Sequence, residues 1–285
     1  MPDLHTLFSN LAWPMAICLA WLAGEVGQRL TRLPRISFYG LAGFVLASTQ
    51  LGILPAPGDG PALIMADIAF GLILFELGYR INLRWLRTNP WLGVASLLEA
   101  LSTFVATYLV AVAFDTSVMT ALMLASLSMC TSPATVVRVV NEMRSSGQVT
   151  ERVLHLSALN CVMSVFAFNV VIGFWIFHSS DDIGEAALSS LVALLMSAAL
   201  GAVFGVVVPF ILRRLGNLSK DATVGFALAV ILLVSMTYSA QLSPVVAALA
   251  FGLTARHRRI AFSQAERNFG ALGEVLTVLL FVYAA

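Results

Sequence analysis

Ten runs of predominantly apolar residues, separated by short polar stretches, dominate this 285-residue sequence. Most of the runs are long enough for a helix that crosses a bilayer, which takes about 20 residues. Charged residues make up only 11% of the chain, against roughly 25% in a soluble domain. The sequence therefore predicts an all-α polytopic membrane protein with about ten transmembrane helices, near residues 8–28, 36–52, 62–79, 91–114, 118–141, 153–177, 187–212, 222–239, 244–255 and 269–285.

The positive charges lie in every second connection between these runs. All 16 Lys and Arg residues fall in five clusters, at or after the ends of the first, third, fifth, seventh and ninth runs. The N-terminal tail and the other connections carry only acids, such as Asp3, Asp115 and Asp181. Because Lys and Arg are enriched in cytoplasmic loops, we expect the N terminus to lie outside. The tail lacks the cationic start of a signal peptide, so the first run is expected to be a true span.

Composition and motifs exclude several other classes of protein. The net charge is +1 with no basic stripe, so no nucleic-acid partner is expected. Cys18, Cys130 and Cys161 lie inside apolar runs without the spacing of a zinc site or a disulfide framework. We find no catalytic or cofactor-binding motif, and we expect neither enzymatic activity nor a bound cofactor. No connection is long enough for a soluble domain, so residues 1–285 are predicted to form a single transmembrane domain.

Two short runs resemble each other and point in opposite directions. Residues 33–44 (LPRISFYGLAGF) and 242–253 (LSPVVAALAFGL) each open near a proline and reach a glycine eight or nine residues later. Such a pair favours a transporter built from inverted repeats, with runs two to six as the first repeat and runs nine and ten as the start of the second. The alternative is that Pro and Gly are simply common in membrane helices. On the repeat interpretation, the fold lacks its last three helices and the chain is C-terminally incomplete.

Polar residues at membrane depth mark a candidate site in the fifth and sixth runs. Pro133, after Thr131 and Ser132, removes a backbone donor and is expected to kink or break the helix. Asn160 lies at a similar depth, on the order of 10 Å from the inner end of its helix. We expect the break to face Asn160 and Cys161. The alternatives are an ordinary proline kink and an amide that only joins two helices.

Three acids lie within the runs and are candidates for proton coupling. A charged side chain at a helix centre costs about 3 kcal/mol on insertion scales, so such residues are functional candidates. Glu99 is the deepest of them and the first choice. Asp67 and Glu76 lie nearer the ends of the third run, and we expect both to be partly hydrated.

Several segments, in the same order along the chain, resemble the bacterial monovalent cation:proton antiporters. They are residues 33–43, 71–78, 131–134, 157–164, 242–252 and 268–281. The resemblance implies a homodimer in the bacterial inner membrane that exchanges Na⁺ or K⁺ for H⁺. It also implies two crossing broken helices beside a helix with an Asn-Asp or Asp-Asp pair. By position, Thr131, Ser132 and Pro133 correspond to the first break, and Asn160 to the first member of the pair.

Cys161 stands where this family most often has the aspartate. A thiol buried in apolar surroundings is a poor substitute for a titrating carboxylate. We therefore expect no ordinary exchange through this position, and any exchange to titrate at Glu99 first, then at Asp67 or Glu76. Two functions remain open: a cation:proton antiporter, either active or altered and inactive, and a membrane scaffold or sensor that keeps the fold without transport.

Overall fold

The computed structural model describes residues 4–54, 61–176, 183–214, 222–257 and 269–285. These residues form α-helices joined by turns and short irregular segments, without a strand among them. The helices are α1 (Leu4–Thr31), α2 (Arg35–Leu46), α3 (Pro61–Arg80), α4 (Leu83–Thr88), α5 (Trp91–Ala113), α6 (Val118–Ser128), α7 (Pro133–Glu142), α8 (Gln148–Ile176), α9 (Ile183–Arg214), α10 (Ala222–Ser239), α11 (Pro244–His257) and α12 (Gly270–Ala284).

The described helices have the length and composition of membrane spans. Five helical stretches are long and apolar enough to cross a bilayer, and three shorter apolar helices accompany them. Many large apolar side chains are exposed on these helices, as expected for surfaces that face lipid rather than water. The all-helical polytopic fold predicted from the sequence is confirmed. The number of crossings and the external N terminus stay predictions.

Two connections differ from the expected runs. The second helix ends at Leu46 rather than near residue 52, because the chain turns there: the amide of Leu54 donates to the carbonyl of Leu46 at 2.9 Å. Gly52 supplies a positive φ of 66° in that turn, a conformation that favours glycine. The six-residue helix α4 was not expected, since it is too short and basic to appear as an apolar run. Asn82 caps it by accepting hydrogen bonds from the amides of Arg84 and Trp85.

The chain divides into two compact units. The first comprises Met1–Leu72, Arg138–Arg144 and Phe262–Ala285, and the second comprises Ile73–Val137 and Ser145–Ala261. In the first unit, α2 packs against α1 and α12. The apolar residues of that core are Ala16, Ala20, Ile36, Tyr39, Leu46, Leu54, Val278 and Val282. The single-domain organisation and the inverted repeat stay predictions.

Helices α2 and α12 meet at backbone distance in the first unit. A Cβ built on Gly43 would lie 2.5 Å from the carbonyl oxygen of Val282 and 2.8 Å from its Cα. One turn earlier, a Cβ on Gly40 would meet nothing within 4 Å. Small residues let membrane helices approach closely, and here the approach depends on Gly43 rather than Gly40.

Helix α11 is likewise held at backbone distance, in the second unit. A Cβ on Gly78 of α3 would overlap the carbonyl oxygen of Leu249, and one on Gly201 of α9 would overlap that of Ala247. Gly252, on α11 itself, lies equally close to the α3 backbone. Glycines on three helices therefore allow α11 to sit between α3 and α9 without intervening side chains.

Candidate functional site

The candidate site begins at a break between α6 and α7. Helix α6 ends at Ser128 and α7 begins at Pro133, so residues 129–132 leave the helix as the sequence predicted. Pro133 occupies the first position of α7, where its missing N–H costs no intrahelical hydrogen bond. Ser132 precedes it as a cap, with its hydroxyl 3.4 Å from the amide of Thr135 and 3.0 Å from the hydroxyl of that residue.

One face of α8 turns polar and buried side chains toward this break. Ser157, Asn160, Cys161 and Ser164 recur at spacings of three and four residues, which places them along a single face of a helix. All four are buried, and Asn160 is only 1% exposed. The sequence predicted that Asn160 would face the bundle interior, and the structure confirms it.

Thr131 joins the break to this face of α8. The Asn160 amide donates from Nδ2 to the Thr131 hydroxyl at 3.3 Å, and the Ser157 hydroxyl donates to the Thr131 carbonyl at 2.9 Å. The Asn160 carbonyl oxygen in turn accepts from the Ser96 hydroxyl of α5 at 2.5 Å. The predicted juxtaposition of the break with Asn160 is therefore present, and hydrogen bonds from three segments fix it.

Cys161 lies next to Asn160 on the same buried face of α8, and Cys130 directly precedes Thr131 in the break. Cys161 is 3% exposed and Cys130 is half-buried.

Sequence reasoning missed the serines of the two neighbouring helices. Ser96 binds Asn160, and the carbonyl of Ser126 on α6 accepts a hydrogen bond from the Ser164 hydroxyl at 2.7 Å. On α5, Ser96 belongs to a buried stripe at four-residue spacing with Leu92 and Ala100. Small residues at that spacing were the signal that could have identified the face packed on α8.

A comparison with known protein families identifies the family of this chain. The sequence matches the family described as "Sodium/hydrogen exchanger, transmembrane" over residues 15–285. The chain belongs to the sodium/hydrogen exchanger family. It is a multi-pass membrane protein of a cation:proton antiporter family. A search of curated proteins found no matching relative.

Among the three acids considered for proton coupling in this exchanger, Glu99 is exposed on α5, whereas Ser96 and Ala100 of the same helix are buried. The role of Glu99 in proton coupling stays a prediction. Glu76 is not partly hydrated: it is 1% exposed and its Oε1 pairs with Nη2 of Arg80 at 2.8 Å. A turn of helix separates the two residues, so the sequence allowed the pair but hydropathy did not reveal its burial.

The third acid, Asp67, is half-buried on α3 and belongs to the first unit. No ion pair within the described ranges involves it, in contrast to Glu76. Asp67 is therefore the acid of the three that is partly buried and has no ion pair among the described residues.

A buried histidine, which sequence reasoning passed over, ties α8 to the start of α4. The Nδ1–H of His155 donates to the Glu151 carbonyl at 2.6 Å, and its Nε2 accepts from the amide of Asn82 at 3.0 Å. The ring also packs against Trp85, with centroids 4.8 Å apart. Because the amide of Asn82 is a donor and the carbonyl of Glu151 is an acceptor, this arrangement places the ring proton on Nδ1 rather than on Nε2.

The chemistry available at the break is that of neutral oxygens and sulfurs. Thr131 supplies a hydroxyl and a carbonyl, Asn160 supplies an amide oxygen, and Cys130 and Cys161 supply thiols. Within the described part of the chain, no group of three or more His, Cys, Asp or Glu side chains has the arrangement of a metal site.

Proposed function

We propose that this protein is a secondary transporter that exchanges a monovalent cation, Na⁺ or K⁺, for protons. The observation that carries the proposal is the broken α6–α7 segment, with Thr131 held against Asn160 and Ser157. Non-helical backbone at membrane depth persists only where protein or a water-filled cavity surrounds it. In secondary transporters, unwound carbonyls and helix ends at such places coordinate ions. Membership of the exchanger family supports the same assignment.

The oxygens at the break suit an alkali cation. Hard cations prefer oxygen ligands, and the Thr131 hydroxyl, the Thr131 carbonyl and the Asn160 amide oxygen present three. Each of these three oxygens accepts one hydrogen bond in the structure. The two carbonyl oxygens each keep a second lone pair that could face a cation. We propose Thr131 and Asn160 as cation ligands and Ser132 and Pro133 as the residues that shape the break.

The proton requires a different group, because Cys161 occupies the position of the family's carboxylate. We propose Asp67 for this role in place of Glu99. Its partial burial on a membrane helix and its lack of an ion pair in the described chain support the choice. Glu76 is neutralised by Arg80 and is assigned a structural role.

Exchange is tested in everted membrane vesicles acidified by respiration and loaded with a pH-sensitive acridine dye. Addition of NaCl or KCl is expected to restore fluorescence with the wild-type chain and to fail with Asp67→Asn. Asn160→Ala and Thr131→Val are expected to raise the cation concentration needed for half-maximal release. Glu99→Gln is the matched acid control and is expected to behave as wild type. Loss of exchange in Glu99→Gln together with full exchange in Asp67→Asn would overturn the assignment of the proton site.

The presence of Cys161 also supports a second function, a scaffold or sensor that keeps the exchanger fold without transport. Vesicles that contain folded protein but release no protons with either cation would favour this function. We further propose a bacterial inner-membrane location, an external N terminus and a homodimer. Light scattering of the detergent-purified protein tests the dimer.

A further inference from the structure

The short helix α4 connects two membrane spans. The span before it ends at Arg80 and the span after it begins at Trp91, so only residues 81–90 lie between them. Six of these ten residues are helical, with a rise of 1.5 Å each, which makes the connection compact. The headgroup regions extend the bilayer from about 30 Å to about 40–45 Å. A connection this short therefore keeps α4 near the lipid headgroups.

Contacts at both ends hold α4 in one orientation on α8. At its start, the amide of Asn82 donates to Nε2 of His155 at 3.0 Å, and the Trp85 ring packs against the imidazole. At its end, the side-chain amide of Asn89 donates to the Trp85 carbonyl at 2.9 Å. The side of α4 that carries Trp85 is thus occupied by α8, and a different side is left for other partners.

Two arginines lie on that other side of α4. Arg84 and Arg87 are three residues apart, which makes them neighbours on a helix surface, and both are exposed. Within the described part of the chain neither forms an ion pair, whereas Arg80, just before α4, pairs with Glu76. Trp91, at the start of the next span, is 79% exposed. Exposed tryptophans and snorkelling arginines are typical of the membrane–water interface.

We propose that Arg84 and Arg87 form a binding site for the headgroups of anionic phospholipids, with Trp91 as the neighbouring interfacial anchor. The charges are complementary, since two cations without an acidic partner lie beside the membrane surface. Guanidinium groups bind phosphate oxygens through paired, charge-assisted hydrogen bonds. Each arginine near an anionic surface strengthens binding about fivefold, which corresponds to about 1 kcal/mol, and the pair gives about 25-fold. The proposal is independent of Na⁺ or K⁺ exchange.

Quenching of a dye beside the two arginines measures which lipid gathers there. Bimane is attached to a cysteine at the exposed Thr88, with Cys18 and Cys130 replaced by serine and the buried Cys161 retained. The full chain is reconstituted in nanodiscs of phosphatidylcholine. A small fraction of phosphatidylglycerol or phosphatidylcholine with a nitroxide near the headgroup is the quencher. We expect an association constant for phosphatidylglycerol about 25-fold that for phosphatidylcholine.

Arginine variants in the same labelled protein test the site. Arg84→Gln and Arg87→Gln are each expected to reduce this preference to about fivefold, and the double variant is expected to abolish it. Arg29→Gln is the matched control, because Arg29 is exposed but already pairs with Glu25 at 2.7 Å. It is expected to leave the preference unchanged. Size-exclusion profiles establish that the variants are folded.

The outcomes distinguish this site from a general surface charge, from a free-anion site and from the exchange function. Equal quenching by the two lipids, or an unchanged preference in the folded double variant, would refute the site. An equal loss in Arg29→Gln would also refute it, by indicating a general surface potential. Loss of the preference in inorganic phosphate, but not in chloride of the same ionic strength, would replace the lipid by a free anion. A 25-fold preference in a protein without exchange activity would support the site and contradict only the exchange.

Discussion

Substitution of Gly43 by alanine tests the close packing of α2 on α12. The added Cβ would lie 2.5 Å from the Val282 carbonyl oxygen, whereas ordinary contacts begin at 3.4 Å, so the helices must separate by 0.9 Å, the difference of these two distances. The obstructing atoms belong to the backbone and cannot rotate away. Overpacking of this kind costs about 1–3 kcal/mol.

Gly40→Ala is the matched control in the same helix, because its Cβ meets nothing within 4 Å. Alanine is favoured over glycine in a helix by about 1 kcal/mol, and this gain is common to both variants. The two should therefore differ by about 1–3 kcal/mol, which is roughly 5- to 150-fold in the unfolding equilibrium. Unfolding of the purified protein by SDS titration measures the difference. A Gly43→Ala protein as stable as Gly40→Ala would refute the backbone contact between α2 and α12.

Three further predictions concern the second unit and the topology. Asn160→Leu removes both hydrogen bonds that hold this residue to α5 and the helix break, and should cost about 1–2 kcal/mol in SDS titration; an unchanged midpoint would contradict it. His155→Phe keeps the aromatic packing but leaves the amide of Asn82 without its acceptor, a loss of about 1–3 kcal/mol, and His155→Ala should lose more in thermal unfolding. Single cysteines at Asp182 and Arg84 should react with an impermeant maleimide from opposite sides of the membrane, and reaction from one side would refute the topology.

Sequence reasoning identified the helix break because its cause is local. Pro133 lacks a backbone donor, and Ser132 before it can cap a new helix, so the sequence carries a local signal for the interruption. Pro14 and Pro209, in contrast, lie within the continuous helices α1 and α9. The break's partner was also accessible, since an amide at the depth of Asn160 is costly unless it faces other protein. The depths of Pro133 and Asn160 along their helices could therefore be estimated from hydropathy, and the two depths agree.

Rotation around a helix axis was not accessible in the same way. Glu99 follows Ser96 by three residues and precedes Ala100, yet Ser96 and Ala100 are buried whereas Glu99 is exposed. Successive residues are about 100° apart on a helix, so a side chain next to a buried one can leave the interior entirely. Hydropathy of an almost wholly apolar segment has no contrast to reveal which side packs. The burial of Glu76 was missed for a related reason, because its partner Arg80 suggested water rather than an ion pair inside the protein.

The backbone contacts around α11 have a consequence for biogenesis. Its 14 residues give a helix of about 21 Å, shorter than the roughly 30 Å hydrocarbon core. Hydropathy alone is therefore a weak driving force for its insertion from the translocon. Gly78 and Gly201, synthesised well before it, provide the surfaces on which it docks. A bulky residue at either position is therefore expected to cause misinsertion of α11, although α11 is distant in the chain and unaltered in sequence.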